Sequence, residues 1–310
     1  MTKRNSLFSP ARRSLMLAAA ALPILPFVQA RTALAAETAP TSKPNGANDR
    51  ALAALAALEA TVDGRIGLAM LDAEGNTLLQ YRADERFPLC STFKMVLAAA
   101  VLQRSTEDAH LLGKRITITK AALVHYSPEV EKHVGKQMRV DELCTASMEY
   151  SDNAAANLLL DAIGGPRVVT AYARRIGDDD FTLVRNETDL GTAIPGDYRD
   201  TTTPGAMART LQRLALGKTL DAPQRDQLVG WMRNNKTGQK RIRAGIPAGW
   251  EVGDKTGGGD YGTTNDIAVL YRPGQPPLVL AIYFTQKQKD APLRDDIVAQ
   301  AARIVTAGFA

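Results

Sequence analysis

Hydrophobic and polar positions divide the chain into three stretches. An apolar run from Leu15 to Val28, broken by Pro23 and Pro26, leads into a polar spacer containing Pro, Ser and Asn from Glu37 to Asn48. Ala and Leu then recur at helical spacing from Asp49 to Val62. Two strand-like runs follow, Arg65 to Leu71 and Thr77 to Tyr81, joined by Asp72-Ala73-Glu74-Gly75-Asn76, whose Gly and Asn favour a hairpin turn. The middle of the chain is written in helix formers, over Met95 to Leu102, Val140 to Met148, Ala154 to Ile163, Arg167 to Ile176, Pro204 to Leu216 and Pro223 to Arg233. Strand character returns in Trp250 to Thr256, Asn265 to Tyr271 and Leu278 to Phe284, before a final helix over Leu293 to Ala307 with Gly308 as its stop.

An early hairpin, a long helical insert, then three strands and a helix predict an α+β fold, an α/β sandwich. Its mostly antiparallel five-stranded sheet is flanked by helices and accompanied by an all-helical lobe. The α/β lobe takes residues 36–82 and 235–310 from the two chain ends, and the helical lobe takes residues 83–234. A cleft between lobes is a usual place for a small-molecule site.

Charge changes the picture at one end only. The chain has 38 Lys+Arg against 33 Asp+Glu, a formal net charge of +5, which invites a nucleic-acid or anionic-membrane partner. Lys3, Arg4, Arg12, Arg13 and Arg31 all lie within the first 35 residues, where no acid occurs, so the remainder carries equal numbers of each sign. Basic, apolar and then small residues, ending in Ala33-Leu34-Ala35, form the order of a secretory signal peptide over residues 1–35, with Leu34-Ala35-Ala36 offering a cut one residue later. The apolar stretch is shorter than the roughly 20 residues of a spanning helix. Arg12-Arg13 before Ser14-Leu15-Met16 also fits a twin-arginine leader, which exports folded protein. The expected product is an exported, periplasmic chain with no nucleic-acid partner and no membrane attachment in its mature form. With 45% hydrophobic residues and 2 Cys, disorder and a disulfide scaffold are excluded.

Three short constellations carry chemistry. Ser91-Thr92-Phe93-Lys94 opens a helix, and a Ser and a Lys three apart share one helical face, so the amine can reach the hydroxyl. A Ser at a helix start also feels the positive end of the dipole, which favours a developing alkoxide. Alone, the pair is equally a capping Ser beside a solvated Lys. Ser151-Asp152-Asn153 joins two helical segments and alone reads as a helix cap. Lys-Thr-Gly occurs twice. Lys236-Thr237-Gly238 falls between helices as a loop, whereas Lys255-Thr256-Gly257 ends a strand and runs into further glycines, where a substrate can lie along an open edge with its carboxylate on Lys255 and Thr256. The glycines from Gly257 to Gly262 match G-x-G-x-x-G, but a strand follows them where a dinucleotide site needs a helix. His110, His125 and His133 lack paired-ligand spacing, and no metal or other cofactor is expected.

Ser-x-x-Lys, Ser-Asp-Asn and Lys-Thr-Gly in this order are the set of class A β-lactamases and penicillin-binding proteins, and the chain resembles the class A serine β-lactamases over nearly all of its length after the leader. The resemblance implies hydrolysis of the β-lactam amide of penicillin- and cephalosporin-type antibiotics by a monomer. Ser91 would be the nucleophile, Lys94, or Glu187 acting through water, the acylation base, and Ser151 the donor to the leaving nitrogen. The same likeness places an omega loop over residues 185–200, closed by Arg185 and Asp200 and carrying Glu187 as the base for the deacylating water. Tyr126 would line the mouth, Asn153 hold the substrate's side-chain amide, and the N–H groups of Ser91 and Gly258 form the oxyanion hole. Lys255 and Thr256 would bind the carboxylate, aided by Arg241. A D-alanyl-D-alanine carboxypeptidase and a non-turnover β-lactam receptor share the motifs, and Glu187 favours hydrolysis over both.

The chain departs from the family pattern at two loop positions. Thr188 follows the Glu where members usually have Pro, which implies a non-proline cis bond or a different loop geometry. Gly191 replaces a usual Asn that helps to hold the water, so deacylation of some substrates is expected to be slow, or bulkier ones to enter. Cys90 and Cys144 each match half of a disulfide found in some relatives whose other half is absent here, implying two free thiols.

Overall fold

In chain order the elements are α1 (Ala47–Glu59), β1 (Gly64–Leu71), β2 (Thr77–Tyr81), β3 (Phe87–Pro88), α2 (Phe93–Glu107), β4 (Arg115–Thr117), β5 (Gln137–Arg139), α3 (Val140–Glu149), α4 (Asn153–Ile163), α5 (Pro166–Arg175), β6 (Thr201–Thr202), α6 (Pro204–Ala215), α7 (Ala222–Arg233), α8 (Ile242–Gly245), β7 (Glu251–Gly259), β8 (Thr263–Tyr271), β9 (Leu278–Gln286) and α9 (Asp295–Thr306). This computed structural model describes residues 46–309. The leader-like segment 1–35 lies outside them.

The five long strands form one antiparallel sheet in the order β2-β1-β9-β8-β7, so the two chain ends meet at its centre, as the pattern predicts. β9 reads as an unbroken apolar run because both of its faces are covered. Leu278, Leu280, Ile282 and Phe284 pack with Leu55 of α1 and Ile297, Val298 and Val305 of α9. Val279, Ala281 and Tyr283 face the opposite way, into the core shared with α2, α6 and α7. α2 is buried at every position from Phe93 to Leu102, and apart from Lys94 its sequence is apolar all round until Gln103.

Local chemistry sets most boundaries. The 72–76 turn closes with the Asp72 N–H donating to the Asn76 carbonyl at 3.0 Å and Gly75 at φ +91°. α6 begins at Pro204 with the Thr203 hydroxyl accepting the Ala206 N–H. α1 stops at Glu59 rather than Val62, where the Thr61 hydroxyl donates to the Leu58 carbonyl at 2.7 Å and competes with the helix ladder. The last helix ends at Thr306, and Gly308 lies inside a closing 3-10 turn instead of terminating it. Two two-stranded pairings, β3 with β6 and β4 with β5, are too short to show a period in the sequence.

Gly67 of β1 faces Phe87 and Pro204, and a Cβ there would lie 2.3 Å from the Phe87 ring and 2.7 Å from the Pro204 side chain. Gly67→Ala is expected to destabilise the fold by about 1–3 kcal/mol through overpacking, read as a lowered urea midpoint. An unchanged midpoint would show that the Phe87 contact is not tight. Cys90 and Cys144 are buried and free, and burial pushes both thiols well above their usual range. Both are expected to resist iodoacetamide in the native protein at neutral pH and to be alkylated in denaturant, as counted by intact mass. Fast native labelling would contradict their burial.

Candidate active site

The turn carrying Ser91 is held from several sides. It is a single 3-10 turn, Cys90–Thr92, that runs straight into α2. Asn265 of β8 donates to the carbonyls of Pro88 and Leu89, at 2.8 and 3.3 Å, and the Leu89 N–H donates to the Asp200 carbonyl at 2.8 Å. β7 passes so close that a Cβ on Gly257 would lie 3.2 Å from the Ser91 backbone nitrogen and 3.1 Å from the Leu89 carbonyl oxygen, so any larger residue after Lys255-Thr256 would have to push the turn aside.

One helical turn further on, Lys94 is completely buried. Its amine donates to Asn153 Oδ1 at 2.6 Å and to the Ser151 carbonyl at 2.8 Å, and stands 3.1 Å from Glu187 Oε1. The Ser91 hydroxyl donates to the same Glu187 oxygen at 3.1 Å. The spacing predicts that Ser91 and Lys94 meet each other, whereas in the fold their bonds converge on one carboxylate oxygen. A buried amine gains more from a carboxylate than from a neutral hydroxyl.

Ser151-Asp152-Asn153 divides its work by position. Asp152, fully buried, caps α4 by accepting the Ala155 N–H at 2.8 Å and also accepts the N–H groups of Glu129 and Val130. The cap reading is therefore right for Asp152, and its neighbours are left to the site. The Ser151 oxygen lies between two amines, 3.0 Å from Lys255 Nζ and 3.5 Å from Lys94 Nζ. Burial pulls the Lys94 pKa below the ordinary amine range against the pull of Glu187. Lys255 is pulled well below that range, by burial first and by the charge of Lys94 second. A hydroxyl between two such amines is placed to pass a proton. Asn153 donates from Nδ2 to the His125 carbonyl at 2.9 Å, and its N–H donates to the Tyr126 carbonyl at 3.0 Å. Tyr126, in a left-handed conformation at φ +62°, is half exposed beside it.

Glu187 owes its position to a residue that the motifs do not mark. Asn157, one turn along α4 from Asn153, accepts the Glu187 N–H at 2.9 Å and donates to its carbonyl at 2.8 Å. The Glu187–Thr188 peptide bond is cis. Arg185 Nε pairs with Asp200 Oδ2 at 2.6 Å, and Asp200 Oδ1 also accepts the N–H groups of Val184 and Arg185. The Asp260 N–H after β7 donates to the Gly191 carbonyl at 2.9 Å, tying strand to loop, while a Cβ on Gly191 would meet nothing within 4 Å.

The remaining predicted residues lie along β7. Lys255, Thr256 and the exposed Gly258 follow one another opposite Ile267, Asp266 and Thr264. Arg241 is buried, with Nε on Asp295 at 2.7 Å and Nη1 on the carbonyls of Gly257 and Asn265, both at 2.7 Å. Its guanidinium is thus spent largely on main chain and Asp295. Asn157, Asn265 and Asn235 were invisible to motif reading. Only the i+4 spacing of Asn157 from Asn153 hinted at a shared helix face.

The family model described as the beta-lactamase enzyme family matches residues 49–309. Among named relatives, beta-lactamase CTX-M-97 of Escherichia coli is 55% identical over 255 residues, covering 82% of this chain and 88% of that protein. Beta-lactamase CTX-M-8 of Citrobacter amalonaticus is 52% identical over the same shares of each. Among solved structures, a class A beta-lactamase reconstructed as the last common ancestor of Gram-negative bacteria is 55% identical at a TM-score of 0.81, over 84% of this chain and 99% of that one. The beta-lactamase of Desulfarculus baarsii is 53% identical at a TM-score of 0.81, over 84% and 97%.

Proposed function

The chain belongs to the beta-lactamase enzyme family, as a class A serine enzyme that hydrolyses the amide bond of β-lactams and so confers resistance to them, and from that premise we propose the roles of its residues. Ser91 gives its proton to Lys94 or, through water, to Glu187 as its Oγ attacks the lactam carbonyl carbon, the C–N bond breaks, and the nitrogen takes a proton from Ser151, which recovers one from Lys94 or Lys255. The developing oxyanion is met by the N–H groups of Ser91 and Gly258. Lys255 and Thr256 hold the substrate's carboxylate, with Arg241 as a fixed positive charge against Gly257. Asn153 meets the side-chain amide, and Tyr126 bounds the mouth. Water, deprotonated by Glu187, then attacks the acyl-Ser91 ester and returns the free hydroxyl.

The observation that carries this reading is the contact of Glu187 Oε1 with both Ser91 Oγ and Lys94 Nζ at 3.1 Å. A carboxylate touching the nucleophile is placed to activate water at the ester that a carboxypeptidase or receptor would retain. Export by the segment 1–35 puts the enzyme in the periplasm, as a monomer acting on a small molecule. Among the described residues no helix is long and apolar enough to cross a membrane. Residues 36–82 with 235–310 form the α/β lobe, and residues 83–234, including the loop 185–200, form the helical one.

Steady-state hydrolysis of a chromogenic cephalosporin, followed together with intact-protein mass, tests the assignment. Ser91→Ala is expected to abolish both turnover and the acyl adduct. Glu187→Ala should still acylate but release product about 100- to 10,000-fold more slowly, the range for loss of a general base. Normal turnover by the Glu187 variant would remove it from the mechanism. Gly191→Asn is expected to change the deacylation rate more than the acylation rate in single-turnover measurements, and equal changes in both would count against a role for that position in holding water.

A further inference from the structure

The first Lys-Thr-Gly copy has no part in this scheme, although the fold sets it beside the second. It lies in the loop between α7 and α8 with Lys236 exposed. Gly238 is explained by packing, since a Cβ there would come 1.8 Å from Asp254 Oδ2. Thr237 is not. Its hydroxyl is 2.5 Å from the hydroxyl of Thr256 and 2.8 Å from Asn235 Oδ1.

The direction of each proton follows from the partners. Asn235 Nδ2 donates to Asp254 Oδ2 at 2.6 Å, while Oδ1 accepts the Thr237 N–H at 3.0 Å. A flipped amide would set its NH2 group against that N–H, so the orientation is fixed. A hydroxyl has one proton, and that of Thr237 goes to Asn235 Oδ1. Either threonine can donate in the contact between them, and with the Thr237 proton on Asn235 Oδ1 the donor is Thr256. In the free protein the chain runs from Thr256 to Thr237, to Asn235 and to the buried Asp254, whose other oxygen is held by Arg243 at 2.7 Å. The Thr256 proton points into the protein, away from the place of a substrate.

We propose that Thr237 is a positioning residue for the substrate's carboxylate, its hydroxyl reversing direction together with that of Thr256 when the carboxylate binds. The inference rests on the reading of Thr256 as a carboxylate ligand. On binding, Thr256 turns its proton to the carboxylate and Thr237 turns its own from Asn235 to the Thr256 oxygen. Asn235 Oδ1 keeps the Thr237 N–H. No proton changes atom, and the free and bound arrangements contain the same number of hydrogen bonds. The bound chain ends on a full negative charge, and donation into the Thr256 oxygen polarises its O–H toward that charge.

The test compares a cephalosporin bearing a free carboxylate with its methyl ester on the mature enzyme. Thr237→Val, which keeps the shape and removes the hydroxyl, is expected to raise KM for the acid about 3- to 10-fold, the worth of one hydrogen bond, with kcat held within about twofold and the ester unaffected. Thr237→Ala should repeat the result, and Thr237→Ser should restore wild-type values. An unchanged KM for the acid, or equal shifts for acid and ester, overturns the proposal. Thr256→Val separates the two readings. If it raises KM for the acid alone while Thr237→Val does nothing, only the relay fails, and if it treats acid and ester alike, the Thr256 assignment itself is lost.

Discussion

A lysine amine with no access to solvent is the constraint around which the rest of this structure is arranged. Leaving such a charge unpaired would cost several kcal/mol, and Lys94 is compensated by the Glu187 carboxylate, the Asn153 amide oxygen and the Ser151 carbonyl. These partners come from the loop after α5 and from the junction of α3 with α4. The need to satisfy one amine on α2 therefore draws three separate segments together. The nucleophile lies three residues before that amine in sequence, so it arrives wherever Lys94 is accommodated.

A second charge makes the site asymmetric. Lys255 enters from β7, and among the described residues Ser151 is the only hydroxyl bonded to both amines. Burial acts on both amines toward losing a proton, and at Lys255 the charge of Lys94 acts in the same direction. On the outer side the balance is opposite. Asp200, paired with Arg185, and Asn157 are spent on holding backbone, and this fixes Glu187 in a loop whose own regular structure is a single 3-10 turn at Asp189–Thr192. Gly191 leaves open space in that same loop, so its rigidity comes from polar bonds and from β7, not from packing at this position.

Legibility in the sequence followed the range of the interaction. The strands of the sheet and the longer helices were readable because their periodicity is local, and the pairs β3 with β6 and β4 with β5 were not because two or three residues show no period. Ser91, Lys94, Ser151, Lys255 and Glu187 were readable as candidates from spacing and family likeness. Their contacts were not. Proximity on α2 predicts a bond between Ser91 and Lys94, but a carboxylate almost a hundred positions later is the stronger partner for both. Arg241 was expected to aid carboxylate binding, and its Nε and Nη1 are held by Asp295 and by two main-chain carbonyls, contacts that no spacing along the chain predicts.

What the sequence by itself determined is most of the local elements, the basic charge segregated in the first 35 residues and the identity of the reactive groups, since each depends on neighbours a few residues apart. Tertiary structure alone decided which atom each group touches. It placed the two Lys-Thr-Gly copies side by side, gave Asn157 the task of orienting Glu187, and joined Thr256 to Asp254 through Thr237 and Asn235. Hydrogen-bond direction depends on every donor and acceptor that folding brings within about 3 Å, and no pattern along the chain records that distance.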